Sequence, residues 1–226
     1  MRNLKKFLAL VLAMIMAMSL MVTANAAGNY SDMADVTPQF VEAVDVLSGM
    51  QVFQGDEKGF RPGDSITRAE VATIVYRLAT GDATGEREKL YSTYGNFADV
   101  KPDDWFAGAV GYCANAGYIK GKTPTTFAPY EKVTGYEALA MILRAVGYDK
   151  NGEFTGATWE TNVASLATQL ELVKNINATR YAGTLHAAAR RDVVAELLFQ
   201  SALIPTVTYT PAFGYQTGNI SSGVDT

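Results

Sequence analysis

The sequence predicts a mainly α-helical domain made of three helix-loop-helix units that share one helical core. Three observations lead there. The first is an internal repeat: "AVDVLSGMQVFQG" (43–55) aligns without gaps to "AVGYCANAGYIKG" (109–121), and "GFRPGDSITRAE" (59–70) to "TFAPYEKVTGYE" (126–137). The second is helical spacing of apolar residues, as in Val71, Ile74, Val75 and Leu78 at i, i+3, i+4 and i+7. The third is a capping box at the same place in both copies, Thr67 with Glu70 and Thr134 with Glu137. A two-helix unit of this size cannot bury its own apolar faces, so neighbours must share a core.

The elements follow in order. The first helix of each unit carries Phe40, Ala43, Val44 and Leu47 in copy one, and Phe106, Ala109, Val110 and Cys113 in copy two. Gly49 and Gly117 end them as C-caps. A short strand-like piece, Gly55 or Gly121, and an F-x-P turn then lead into the capped second helix, which carries Arg77 or Arg144 at the same position. A third copy is weaker. Trp159 stands ahead of "VASLATQLELVKN" (163–175) as Trp105 stands ahead of 109–121, and "ARRDVVAELLFQSAL" (189–203) takes the place of the capped helix. It lacks the F-x-P turn, and Ala189 stands where the alignment expects the capping Thr. Helices are expected near 37–48, 67–79, 105–116, 134–146, 160–171 and 190–202. The units span 30–81, 94–149 and 152–204, and the Pro-, Gly-, Ser- and Thr-containing tail 205–226 reads as extended or disordered.

The start of the chain has another character. Arg2, Lys5 and Lys6 precede an almost wholly apolar run from Phe7 to Val22, and Ala24-Asn25-Ala26 has the A-x-A form of a cleavage site. Residues 1–26 therefore read as a cleaved secretory signal peptide, favoured over a retained membrane anchor, for which the apolar run is near the lower limit of length, because the small-residue site follows at once. Its removal leaves 16 Lys and Arg against 23 Asp and Glu, a net charge of −7. Such a chain has no general attraction for nucleic acid or for an anionic membrane. An anionic ligand would need a local pocket working against that field.

Cys113 is the only cysteine and reads as a small buried hydrophobe, and His186 is the only histidine. That inventory offers no usual zinc site, no Ser-His or Cys-His triad and no cofactor motif. No carboxylate pair stands out as a glycosidase would require, so no catalytic residues are assigned and no enzyme is expected.

One residue is out of character. Arg68 follows the capping Thr67 at the first helical position, beside the positive end of the dipole, where a cation is mildly unfavourable. Helix formation does not ask for it.

These motifs resemble the S-layer homology family, whose pattern runs F-x-D-V, a Trp, an apolar helix, G-I-I-x-G, F-x-P and I-T-R-A-E. Copy one supplies Ala34-Asp35-Val36, Gly55, Phe60-x-Pro62 and Ile66-Thr67-Arg68-Ala69-Glu70. Copy two supplies Phe97-Ala98-Asp99-Val100, Trp105, Gly117 to Gly121 and Phe127-x-Pro129, with Gly135 in place of the arginine. The resemblance covers roughly residues 30–204. It implies a pseudo-threefold spindle around a central helical bundle, with grooves between repeats that hold secondary cell wall polysaccharide, often ending in a pyruvylated amino sugar. It implies non-covalent anchoring of an exported protein in a Gram-positive-type wall, or alternatively the wall-binding end of a lattice-forming S-layer subunit, with other subunits as partners.

The resemblance offers ligand roles for Arg68, Thr67, Asp35, Asp99, Gly55, Gly121, Trp105 and Arg190. Arg68 beside free helix amides would suit a carboxylate such as a pyruvate ketal; its other reading is a surface ion pair. Asp35 and Asp99 either hydrogen-bond sugar hydroxyls or serve caps and turns. Trp105 and Trp159 either stack on a sugar face or pack in the core. Gly55 and Gly121 serve a tight turn or let a ligand approach.

Overall fold

The structure is a computed structural model, and it describes residues 30–217; the predicted signal segment 1–26 lies outside the described residues. Among the described residues the helices are α1 (Val41–Gly49), α2 (Arg68–Thr80), α3 (Ala107–Asn115), α4 (Gly135–Ala145), α5 (Trp159–Gln169), the single-turn α6 (Lys174–Asn177) and α7 (Arg191–Leu203). Strands β1 (Val207–Thr210) and β2 (Gly214–Thr217) follow as an antiparallel hairpin. All six expected helices are present. The sequence did not announce α6 or the hairpin, which falls within the tail read as extended or disordered.

Local chemistry sets where the central helices begin. Thr67 caps α2 and Thr134 caps α4, each accepting from the amide of its partner glutamate, Glu70 or Glu137, which reaches back to the cap amide. The third central helix, α7, has no side-chain cap; Arg190 is its N-cap in extended backbone conformation.

The helices pair across the repeats rather than within them. α1 lies on α7, α3 on α2 and α5 on α4, while α4 touches both α2 and α7. Each central helix thus carries the first helix of the following unit, and the first unit's α1 closes the ring on the last unit's α7. Phe40, Phe106, Leu139, Ile142 and Leu198 are fully buried in the resulting core.

Where the three central helices begin, the backbone makes a closed cycle. The Ile66 amide donates to Ala189 O at 3.0 Å, Ala189 N to Val133 O at 2.8 Å, and Val133 N to Ile66 O at 3.1 Å. The first helical amides are also taken. Arg68 N donates to Glu131 O and Ala69 N to Pro129 O, Arg191 N to Asp64 O and Asp192 N to Pro62 O, and Tyr136 N to Leu185 O. The orphan donors at each helix start are therefore satisfied by the loop of the next unit.

The linker after α2 straps over α3 through a 3-10 turn at Glu88–Tyr91. Two helix glycines allow this contact: a Cβ at Gly108 would meet the Glu88 carbonyl and one at Gly111 the Tyr91 carbonyl, both backbone atoms that cannot swing aside. Gly111→Ala should therefore destabilise by about 1–3 kcal/mol through overpacking, although alanine is the better helix former by roughly 1 kcal/mol. Urea unfolding of the two proteins checks the sign.

Candidate functional site

Arg68 lies at the junction of units one and two with only 4% of its surface exposed. Its Nε donates to Phe127 O at 2.7 Å and its Nη2 to Lys120 O at 2.9 Å, with the guanidinium 4.8 Å from the centre of the Phe127 ring. Glu137 Oε1 stands 4.0 Å from Nη1. Burial lowers the pKa of this guanidinium, and nearby Glu137 and Glu131 work the other way. The helix amides that would have joined it on an anion already donate to Glu131 and Pro129. Arg68 is thus a strut between units, with its donors directed at the Phe127 carbonyl of the F-x-P turn and the Lys120 carbonyl of the segment before it.

The third unit repeats this strut with a different residue. Arg191, one position later than the repeat alignment expects, sends Nε to Phe60 O at 2.9 Å, Nη2 to Gln54 O at 2.9 Å and Nη1 to Glu70 Oε1 at 3.0 Å. The register shifts because Ala189 belongs to the backbone cycle, where Ile66 and Val133 sit, and so cannot be the cap. Arg190 takes the cap position instead. Its guanidinium forms a bidentate pair with Asp192 at 2.9 and 3.0 Å and lies over the Tyr181 ring. In the second unit, Gly135 replaces the strut altogether. Leu185 of the third unit packs against it so closely that a Cβ would come within 2.5 Å of Leu185 Cδ2.

The acidic candidates divide. Asp99 accepts from Phe127 N at 2.8 Å and Ala128 N at 2.7 Å, and so holds the F-x-P turn. Its counterpart in the first unit is Asp32, which accepts from Phe60 N at 2.9 Å and Arg61 N at 2.6 Å. Asp35, aligned with Asp99 from the "ADV" match, is exposed in a 3-10 turn and lines a separate open groove of about 530 Å³ with Arg180 and Arg190. The equivalence that holds is Tyr30-Ser31-Asp32 with Phe97-Ala98-Asp99, since Tyr30 pairs with Phe60 as Phe97 pairs with Phe127. Both turns place a non-glycine residue at positive φ, Arg61 at 57° and Ala128 at 61°, and the two amide bonds to the aspartate hold them there. Thr67 serves its cap. A Cβ at Gly121 would strike the Thr123 carbonyl and one at Gly55 the Gly59 carbonyl, so both glycines meet a packing need.

A smaller groove gathers a different set. It holds about 180 Å³ and is lined by Gly55, Arg61, Glu70, Arg77, Trp105 and Arg191. Residues from all three units meet here. Trp105 is 59% exposed, standing edge-on to the buried Phe106 ring. Arg77 comes from the last turn of α2, and its Nε is buried with no hydrogen-bond partner among the described residues. Burial lowers its pKa, against the pull of Glu88 and Asp82. Glu70 and Asp56 at the groove are both engaged: Glu70 with Thr67 and Arg191, Asp56 with Lys58 N and Arg61. Arg61, Arg77 and Arg191 were not among the site residues read from the sequence. The signal for Arg77 was present in its alignment with Arg144; for Arg191 it was hidden by the one-residue slip.

Repeat register, closed ring and strut together meet a known family: the S-layer homology domain matches residues 29–72 and 96–139. The chain carries two S-layer homology domains. The third unit lies outside those matches and takes the third place in the ring. The chain is similar to a surface layer protein of Brevibacillus choshinensis, 31% identical over 76% of this chain and 15% of the relative. It is 34% identical to a middle cell wall protein of Brevibacillus brevis over 60% of this chain and 13% of the relative. It is 32% identical to an exoglucanase of Acetivibrio thermocellus over 51% of this chain and 10% of the relative. The chain thus spans about one seventh of the length of the first two. No described helix is long and apolar enough to cross a membrane.

Arginine substitutions separate strut from site. Arg68→Ala leaves two carbonyls without their donor and should cost on the order of 3 kcal/mol. Arg77→Gln, which copies the Gln200 of the third unit and removes a buried donor that has no partner, should leave stability unchanged or raise it by about 1 kcal/mol. Thermal melts of both variants check the contrast.

Proposed function

We propose that the chain is a non-catalytic anchor that holds an exported protein at the cell surface. Its ligand is secondary cell wall polysaccharide, bound by the groove around Arg77. The observation that carries this reading is the buried, unpartnered Nε of Arg77 in a groove walled by two further arginines and an exposed tryptophan. A buried donor without a partner is costly unless a ligand satisfies it. A carboxylate suits it best, because a guanidinium meets that group with two parallel hydrogen bonds. Trp105 offers an apolar face for a sugar ring beside the charge. A pyruvylated amino sugar combines both features in one residue.

The three grooves are unequal. In the third unit the position of Arg77 is Gln200, and beside it the buried Glu196 accepts from Gln200 and Asn175, which makes an anion unwelcome. In the second unit the corresponding Arg144 is already paired with Asp149 at 2.6 Å. The first groove therefore dominates. Expectation for Arg68 and Arg190 shifts accordingly: the first supports the groove wall through the ring, and the second is neutralised by Asp192.

Catalysis is not part of this reading, since Glu70 and Asp56 are held by cap and ion-pair partners and neither is free to act as a general acid. A lattice role remains the second reading, favoured by the likeness to the Brevibacillus choshinensis surface layer protein; on that reading the chain is the wall-binding end of the subunit.

Purified wall sacs should retain the protein, and acid extraction of their secondary polymer should abolish retention; retention that survives would indicate peptidoglycan and overturn the reading. In calorimetry with a pyruvylated N-acetylhexosamine glycoside, Arg77→Gln should weaken binding about tenfold to a hundredfold, the worth of one charge-assisted pair. Unchanged affinity would remove Arg77 from the site.

A further inference from the structure

Arg77 and Arg144 hold the same place on α2 and α4, and each is followed five residues later by an aspartate, Asp82 and Asp149. The two aspartates turn opposite ways. Asp82 accepts from the Tyr76 hydroxyl at 2.7 Å and from Arg87 N at 3.0 Å, which draws it toward the strap and leaves Arg77 Nε without a partner. The second unit has Leu143 where the first has Tyr76, so no hydroxyl competes for the carboxylate. Asp149 turns instead to Arg144 Nε at 2.6 Å and Lys120 Nζ at 2.9 Å.

The Asp149 side chain is fully buried in that position. Its other oxygen accepts from Phe154 N at 2.7 Å, and Arg144 Nη2 donates to Phe154 O at 3.2 Å. The backbone adopts a positive φ of 64° at Asp149, a conformation that costs free energy in a non-glycine residue and persists when its surroundings impose it. The hairpin supplies part of that constraint. The Tyr215 hydroxyl accepts from Lys150 N and donates to Glu153 Oε1, both at 2.7 Å, and so pins both sides of the loop.

We propose that Asp149 is an internal plug: its carboxylate occupies, between Arg144 and Lys120, the place that a ligand carboxylate takes beside Arg77, and the second groove is a latent site for the same class of anionic sugar. The proposal rests on the reading of the first groove as an anionic-sugar site. The 147–154 loop and the hairpin then act as a built-in closure of one groove, and the chain as it stands offers one site rather than two. Gly121, Glu137 and Trp159 take the sequence positions of Gly55, Glu70 and Trp105, while Ala128 stands in the place of Arg61.

Calorimetry with a 4,6-pyruvylated N-acetylhexosamine methyl glycoside tests this on the whole chain, using wild type, Asp149→Gly and Asp149→Asn. Glycine suits the positive φ while removing the carboxylate, and asparagine keeps the side-chain volume should the glycine variant fail to fold. The expected stoichiometry is one for the wild type and two for the variants, with the added site lost again when Arg144→Gln is combined with either. One site in the wild type and still one in both variants overturns the plug while leaving the first groove intact. Two sites in the wild type also overturn it. No binding by any of the three proteins overturns the reading of the first groove, and the plug with it.

Discussion

Three backbone hydrogen bonds close a cycle through Ile66, Val133 and Ala189, and the rest of the structure hangs from it. A helix start exposes amides with no intrahelical acceptor, and burying them unpaired is costly. Here the loop of each following unit supplies the acceptors, from unit two to α2, from unit three to α4 and from unit one to α7. No unit can satisfy its own central helix. The same exchange governs packing, because each first helix lies on the central helix of the unit before it. Closure therefore needs all three units, including the one whose sequence has drifted furthest.

The arginine struts are the side-chain form of the same constraint. Arg68 and Arg191 each reach across a junction to two carbonyls of the neighbouring loop and lie over its phenylalanine. At the third junction a glycine admits Leu185 in place of the strut, so apolar contact substitutes for charge-assisted hydrogen bonds. The struts also reach the grooves. Arg191 brings a cation to the first unit and Arg68 one to the second; the two differ in that the first has Arg61 and an unpaired Arg77 Nε, while the second has Ala128 in place of Arg61 and an internal carboxylate on Arg144.

Much of this was legible in the sequence. The capping boxes located α2 and α4, and the apolar spacing located the other long helices. The site was less legible. The helix-start arginine stood out because a cation is disfavoured there, yet a single sequence cannot say whether its partner is a ligand or a neighbouring loop; that depends on which carbonyls the ring brings near. Asp35 and Asp99 were matched through a three-residue motif too short to fix register, whereas the aspartate that holds the first turn is Asp32. Arg191 was displaced by one residue because the third unit lacks the F-x-P turn that would have anchored the alignment. The hairpin escaped notice because each strand has only four residues, too few for the alternation in Val207-Thr208-Tyr209-Thr210 to stand out; Tyr215 packs on both Tyr209 and Tyr148.

The central claim is that the three units stand or fall together through the backbone cycle. Native-state amide hydrogen exchange at Ile66, Val133 and Ala189 measures it directly, since each amide donates one bond of the cycle and exchanges only when that bond opens. The account requires the three amides to share one opening free energy, equal to that of global unfolding. Exchange of Ala189 through a much cheaper opening, with Ile66 and Val133 still protected, would mean that the third unit opens alone and that the cycle does not hold the fold together.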